Sequence, residues 1–205
     1  MILWNLFEAL GTAAFAASGA LTGVKKGFDL FGVCVLGLVT AVGGGITRDI
    51  LSGNLPPLAL RDPYYCLIAV ATSVLVFIRP LPILKMDKLI VLMDAVGLGA
   101  FSAGGGMLAI NMGFQSAFTV TAMGVITAVG GGILRDVLSG STPLIFHREV
   151  YAVAALAGSA TLLPITRALS GEHAMYLCMM ITTVSRIYCA TKGIHLPSGR
   201  PGRRP

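Results

Sequence analysis

Apolar residues fill most of this chain in stretches of fifteen to twenty-five, separated by short polar turns. A bilayer core of ~30 Å needs about 20 residues of helix. On that measure the pattern predicts an all-α integral membrane protein with seven transmembrane helices, over residues 2–24, 30–51, 64–78, 89–110, 114–138, 150–166 and 174–191. The breaks are chemically explicit. Lys25-Lys26-Gly27-Phe28-Asp29 is a polar turn, Pro56-Pro57 cannot continue a helix, residues 79–88 form a charged, proline-containing link, and Asn111-Met112-Gly113 is a tight turn. After Lys192, Gly, Pro and Arg dominate, and a disordered basic tail is expected over 193–205.

The polar interruptions inside the spans repeat. Ala41-Val42-Gly43-Gly44-Gly45-Ile46-Thr47-Arg48-Asp49-Ile50-Leu51-Ser52-Gly53 returns 87 residues later as Ala128-Val129-Gly130-Gly131-Gly132-Ile133-Leu134-Arg135-Asp136-Val137-Leu138-Ser139-Gly140, identical at eleven of thirteen positions. Glu8-Ala9-Leu10-Gly11 with Phe15 matches Asp94-Ala95-Val96-Gly97 with Phe101, and Arg61-Asp62-Pro63-Tyr64 matches Arg148-Glu149-Val150-Tyr151. Spans one to three therefore recur as four to six. Residues 1–86 and 87–170 form two three-helix repeats, and residues 171–192 a seventh helix without counterpart. Three crossings is an odd number, so the second repeat enters from the opposite side and is inverted.

Composition agrees. Only 12% of the 205 residues are charged, mean hydropathy is +0.83, and residues 89–134 hold one ionisable group, Asp94. Soluble domains carry about 25% charged residues. Outside the spans, Lys25, Lys26, Arg79, Lys85, Lys88, Arg148, Lys192, Arg200, Arg203 and Arg204 fall on one side, and Arg61 and Arg167 on the other. By the positive-inside rule the N-terminus is outside and the C-terminus cytoplasmic. The start has no basic n-region, so the first span reads as a retained helix rather than a signal peptide. No basic face with interleaved aromatics implies nucleic acid, no soluble surface implies a protein partner, and Cys34, Cys66, Cys178 and Cys189 read as small buried residues. His147, His173 and His195 have no metal-ligand spacing, and no catalytic motif or phosphate loop is present.

The doubled motif carries the candidate chemistry. Three glycines cost about 1 kcal/mol each against Ala in a regular helix, so Gly43–Gly45 and Gly130–Gly132 are expected to break helices two and five. A break frees carbonyl oxygens for a desolvated cation, and Thr40 and Thr127, three residues earlier, offer hydroxyls. The competing reading is close helix packing. Gly104–Gly106, with no Arg-Asp after it, is assigned to packing. Arg48 and Asp49 are adjacent and point about 100° apart, which suggests crossed pairs, Arg48 with Asp136 and Arg135 with Asp49, acting as a gate or a static clamp. Glu8 and Asp94 are candidate mouth carboxylates or helix caps. Phe15 and Phe101 are a candidate constriction or simple packing, and Arg186 snorkels or pairs without an assigned role.

Seven spans in a three-plus-three-plus-one order, with GGGxxRD in the second and fifth, resemble the prokaryotic branch of the trimeric intracellular cation (TRIC) channel family, also called a glycine-transporter domain family. The resemblance covers about residues 4–190. It implies a homotrimer in a prokaryotic inner membrane. Each protomer would have its own hourglass-like pore for K+ and other monovalent cations, lined by helices two and five, with no cofactor beyond the permeant K+ or Na+. Animal members carry a lysine-containing, phosphoinositide-linked motif where this chain has glycines, so lipid regulation is not carried over. Inverted repeats with broken helices would equally suit a secondary transporter of a small zwitterion such as glycine.

Overall fold

The computed structural model describes residues 2–79, 83–146 and 150–194, with side chains for 5–79, 86–146 and 151–194. Helices α1 (Ile2–Lys25), α2 (Leu30–Ser52), α3 (Leu58–Arg61), α4 (Tyr64–Ile78), α5 (Ile83–Asn111), α6 (Ala117–Leu138), α7 (Val150–Ala168) and α8 (Gly171–Lys192) follow in order, with a 3-10 turn at Leu144–Phe146. Seven are long and sit on the seven apolar stretches. The sequence missed α3, a single turn directly after Pro56-Pro57. It also started α5 too late, because the charges at Lys85, Asp87 and Lys88 read as a link although they form that helix's polar first turns. Leu30–Ser52, Met86–Asn111 and Ala117–Leu138 are long and apolar enough to cross a membrane, and Tyr64–Ile78 is a shorter apolar helix. The readings placed on His147, Arg148, Glu149, His195 and residues 195–205 lie outside the described residues.

The packing follows the repeat. Helix α1 packs on α2 and α4 and α2 on α4, while α5 packs on α6 and α7 and α6 on α7. The two bundles meet through α1 against α5 and α2 against α6. Helix α8 lies on α5 and α7 and has no equivalent in the first half. The helix ends repeat as well. Asp29 caps α2 by accepting from the Gly32 N–H at 2.8 Å, and Ser116 caps α6 by accepting from the Thr119 N–H at 3.4 Å. Gly53 and Gly140, 87 residues apart, leave these helices at φ 74° and 66°, where a side chain would be strained.

The glycine triplets do not break their helices: α2 and α6 are continuous through Gly43–Gly45 and Gly130–Gly132. The expected gaps are corrected to a helix crossing. A Cβ on Gly44 would strike the Thr127 carbonyl, one on Gly131 would strike the Thr40 carbonyl, and one on Gly130 would lie 3.0 Å from the Gly44 Cα. Backbone meets backbone here, which only glycine allows. The hydroxyls of Thr40 and Thr127 are already engaged. Each donates to its own helix at 2.6 Å, to the carbonyls of Leu36 and Met123. Gly105 and Gly106 are filled by Thr127 and Leu162, as packing positions should be.

Gly44→Ala or Gly131→Ala would place a methyl group on a carbonyl that cannot move unless the helices separate, a cost of about 1–3 kcal/mol or more. At Gly45 the nearest atom to an added Cβ is the Arg48 Nη2 at 3.7 Å, so Gly45→Ala should be neutral or slightly stabilising. Thermal unfolding of the three variants in detergent checks this; equal losses at all three would count against the crossing.

Candidate functional site: two unequal networks beside the glycine crossing

Each triplet leads one turn later into its Arg-Asp pair, and the aspartate does the same work in both halves. Asp49 Oδ2 accepts from the Leu58 N–H at 2.8 Å, and Asp136 Oδ2 accepts from the Leu144 N–H at 2.9 Å. The motif thus ties the chain beyond each helix back to its last turns. Asn54 adds a 3.2 Å bond to Asp49 Oδ1. The crossed ion pairs are not formed. Arg48 Nε and Nη2 donate to Asp49 Oδ1 at 3.0 and 2.9 Å, and Arg135 Nε donates to Asp136 Oδ1 at 2.9 Å. The 100° between neighbouring Cβ directions does not prevent this, because the long arginine arm folds back over one residue. The aspartates stay close to the helix ends, where they are needed for the loops.

Beyond that shared clamp the halves diverge. Arg135 also donates from Nη1 to Asp94 Oδ1 at 2.6 Å and to Ser18 Oγ at 2.7 Å. Asp94 is 0% exposed and Arg135 1%, so Asp94 is a core ion-pair partner and not a mouth carboxylate. Its repeat partner Glu8 makes no hydrogen bond or ion pair with Arg48 among the described residues. Instead Glu8 Oε2 accepts from the Tyr65 hydroxyl at 3.0 Å. Tyr151, aligned in the sequence with Tyr64, plays the part of Tyr65 displaced: it is buried while Tyr64 is exposed. The Tyr151 hydroxyl lies against Gly132, 2.5 Å from where a Cβ would be, and Arg186 of α8 sits 5.0 Å above its ring. Arg186 is 1% exposed and does not snorkel.

Space differs accordingly. In the first half a small cavity of about 40 Å³ is lined by Glu8, Thr12, Gly45, Arg48, Tyr65 and Phe101. That is room for about three or four waters at ~10–15 Å³ each. A larger cavity of about 560 Å³ shares Glu8, Arg48 and Leu58 with it and extends past Gly104 to Asn5, Asn111 and Glu172. In the second half the place equivalent to Gly45 is filled by Tyr151. Phe15 and Phe101 touch with ring centroids 5.2 Å apart; Phe15 is fully buried and also fills the space over Gly97. Sequence reasoning missed Ser18, Tyr65 and Tyr151 and gave Arg186 no role. The two tyrosines had a signal, since Tyr65 and Tyr151 stand 86 apart, as Glu8 and Asp94 do.

A family model described as "Glycine transporter" matches residues 5–80 and 91–167, each of the two repeats once. The UPF0126 inner membrane protein YadS of Escherichia coli is 36% identical, over 97% of this chain and 96% of its own. A TRIC cation channel of known structure is 37% identical over 98% of both chains, with a TM-score of 0.88. The chain belongs to the prokaryotic TRIC family. The TRIC trimeric intracellular cation channel orthologue from Rhodobacter sphaeroides is 33% identical, over 95% of this chain and all of that one, again at a TM-score of 0.88. The TRIC fold and a prokaryotic membrane location are therefore properties of this chain, and its structural neighbours are channels rather than enzymes.

Removing a cation from the sealed half leaves buried carboxylates without a partner. Arg135→Gln should cost about 3–5 kcal/mol, whereas Lys25→Ala, which breaks the surface pair with Asp87, should cost about 1 kcal/mol or less. Denaturant or thermal unfolding in detergent compares them, and equal small losses would show that the Arg135 network contributes little.

Proposed function

We propose that the chain is a monovalent cation channel, permeable to K+ or Na+ without a cofactor, with a pore in each protomer of a homotrimer. The pore runs between α2 and α6 through the glycine crossing. The N-terminus lies outside the cell and the C-terminus in the cytoplasm. The observation that supports this most is the pair of cavities meeting at Glu8 and Arg48, which lead from Asn111 and Glu172 down to Gly45. Where the two cavities meet, Glu8 and Asp49 stand against a single arginine, Arg48, so when ionised these three present net negative charge to an approaching cation. The second half holds two arginines, Arg135 and Arg186, against Asp94 and Asp136, and leaves no surplus.

On this reading the conformation is closed. The first half is open as far as Gly45, and the crossing with Tyr151 over Gly132 shuts the second. Opening requires α2 and α6 to slide or part at the crossing and Tyr151 to leave Gly132. A one-sided cavity also suits alternating access by a glycine transporter, the activity that names the family model.

Single-channel recording of the purified protein in a planar bilayer under a KCl gradient separates the two. Discrete steps reversing near the K+ equilibrium potential are expected. Glu8→Gln should lower conductance about twofold or more below ~0.1 M salt, with the effect fading toward 1 M as screening removes the field. Tyr151→Ala should raise open probability. Absence of steps together with saturable uptake of labelled glycine into proteoliposomes would replace the channel by the transporter.

A further inference from the structure

At the opposite end of the molecule from Glu172, a separate cavity of about 580 Å³ lies between the start of α5 and the end of α8. Its walls change character along the helices. Lys88 and Thr191 stand at the end nearest the helix termini, and Val91, Leu92, Ile187 and Ala190 line the part that runs toward the middle of the bundle. The spacing explains the groove: residues 88, 91 and 92 form one face of α5, and 187, 190 and 191 one face of α8. Leu92 is left 42% exposed on this face, without a covering side chain.

The charge at the polar end is one-sided. Asp87, the acid in the lining, is taken by Lys25 of α1, whose Nζ lies 2.5 Å from its Oδ1. Lys88 has no ion pair among the described residues, and Lys192 follows Thr191 by one residue. The groove therefore offers a cation at its rim, where the Thr191 hydroxyl already donates to the Tyr188 carbonyl, and hydrocarbon below. An amphiphile with an anionic head and an apolar tail has the complementary order, and basic pockets between transmembrane helices bind such headgroups.

We propose that this groove is a binding site for an anionic phospholipid of the surrounding bilayer, its phosphate on Lys88 and an acyl chain along Val91, Leu92 and Ile187. The site is distinct from the cavities beside Glu8 and does not depend on whether the chain conducts ions. On the orientation proposed above, it lies in the inner leaflet. The occupant bridges α5, which belongs to the repeat, to α8, which does not.

Native mass spectrometry of the full-length protein, with added phosphatidylglycerol or phosphatidylcholine of matched chains, tests the assignment. The wild type should retain phosphatidylglycerol over phosphatidylcholine by about fivefold or more, the factor expected of one lysine near the phosphate. Lys88→Gln, at an exposed position, should remove most of that preference, and Ile187→Trp, which fills the groove, should lower retention of both lipids. Lys26→Gln, outside the groove, should change neither. Equal retention of the two lipids by the wild type would overturn the site, as would equal losses from Lys88→Gln and Lys26→Gln. A change of oligomeric state on Ile187→Trp with lipid retention intact would overturn it in favour of a second copy of the chain.

Discussion

The contact on which the rest of this structure depends is the crossing of α2 and α6, where Gly44 meets the Thr127 carbonyl and Gly131 meets the Thr40 carbonyl. In lipid, apolar surface gains little by leaving hydrocarbon, so helices associate through close van der Waals packing and weak backbone contacts. Such terms fall off steeply with distance, and a single methyl group at either glycine would forfeit them. The intrinsic cost of glycine in a helix, about 1 kcal/mol per residue, is offset by the approach that its missing side chain permits. Holding the centres of α2 and α6 together also fixes their ends, where Asp49 and Asp136 fasten the chain that follows. Helices α1 and α5 then pack around this pair in matching ways.

Two nearly identical motifs nevertheless end in different environments. The difference comes from what surrounds them. The acid opposite Arg135 is Asp94, short and fully buried, with Ser18 as a second acceptor; the acid opposite Arg48 is Glu8, longer and turned to Tyr65. Helix α8 brings Arg186 to Tyr151 in the second half only. An inverted repeat alone would treat its two sides alike. The unrepeated helix adds a buried cation on one side only, so the two halves enclose different charge.

Much of the fold was legible in the sequence because it rests on local composition: apolar runs long enough to span, prolines and glycines that stop them, and an offset of 87 residues that exposes the repeat. The charged motifs were visible for the same reason. What the triplets do was not, since a glycine run is equally cheap as a kink and as a close crossing. The choice is made by Thr40 and Thr127 on the partner helix. The pairing of Arg48 with Asp49 was hidden by reasoning from Cβ directions alone, which ignores the reach of the arginine arm. The environment of Asp94 was hidden because burial of an acid depends on residues as remote as Ser18 and Arg135.

The charge balance ties these features to a functional state. A buried ion pair in a low-dielectric site gains little net stability over apolar packing, yet losing one partner is severely unfavourable. Arg135 with Asp94 and Asp136 is therefore a poor way to stabilise a bundle and an effective way to hold one arrangement against another. To leave it, Arg135 must find other acceptors or water. Arg48 lacks the second carboxylate: it is joined to Asp49 alone, is 7% exposed, and borders a cavity of about 40 Å³. On the channel reading proposed above, the first half displays the arrangement that the second half would reach on opening, so that the two repeats would represent the two states of one device.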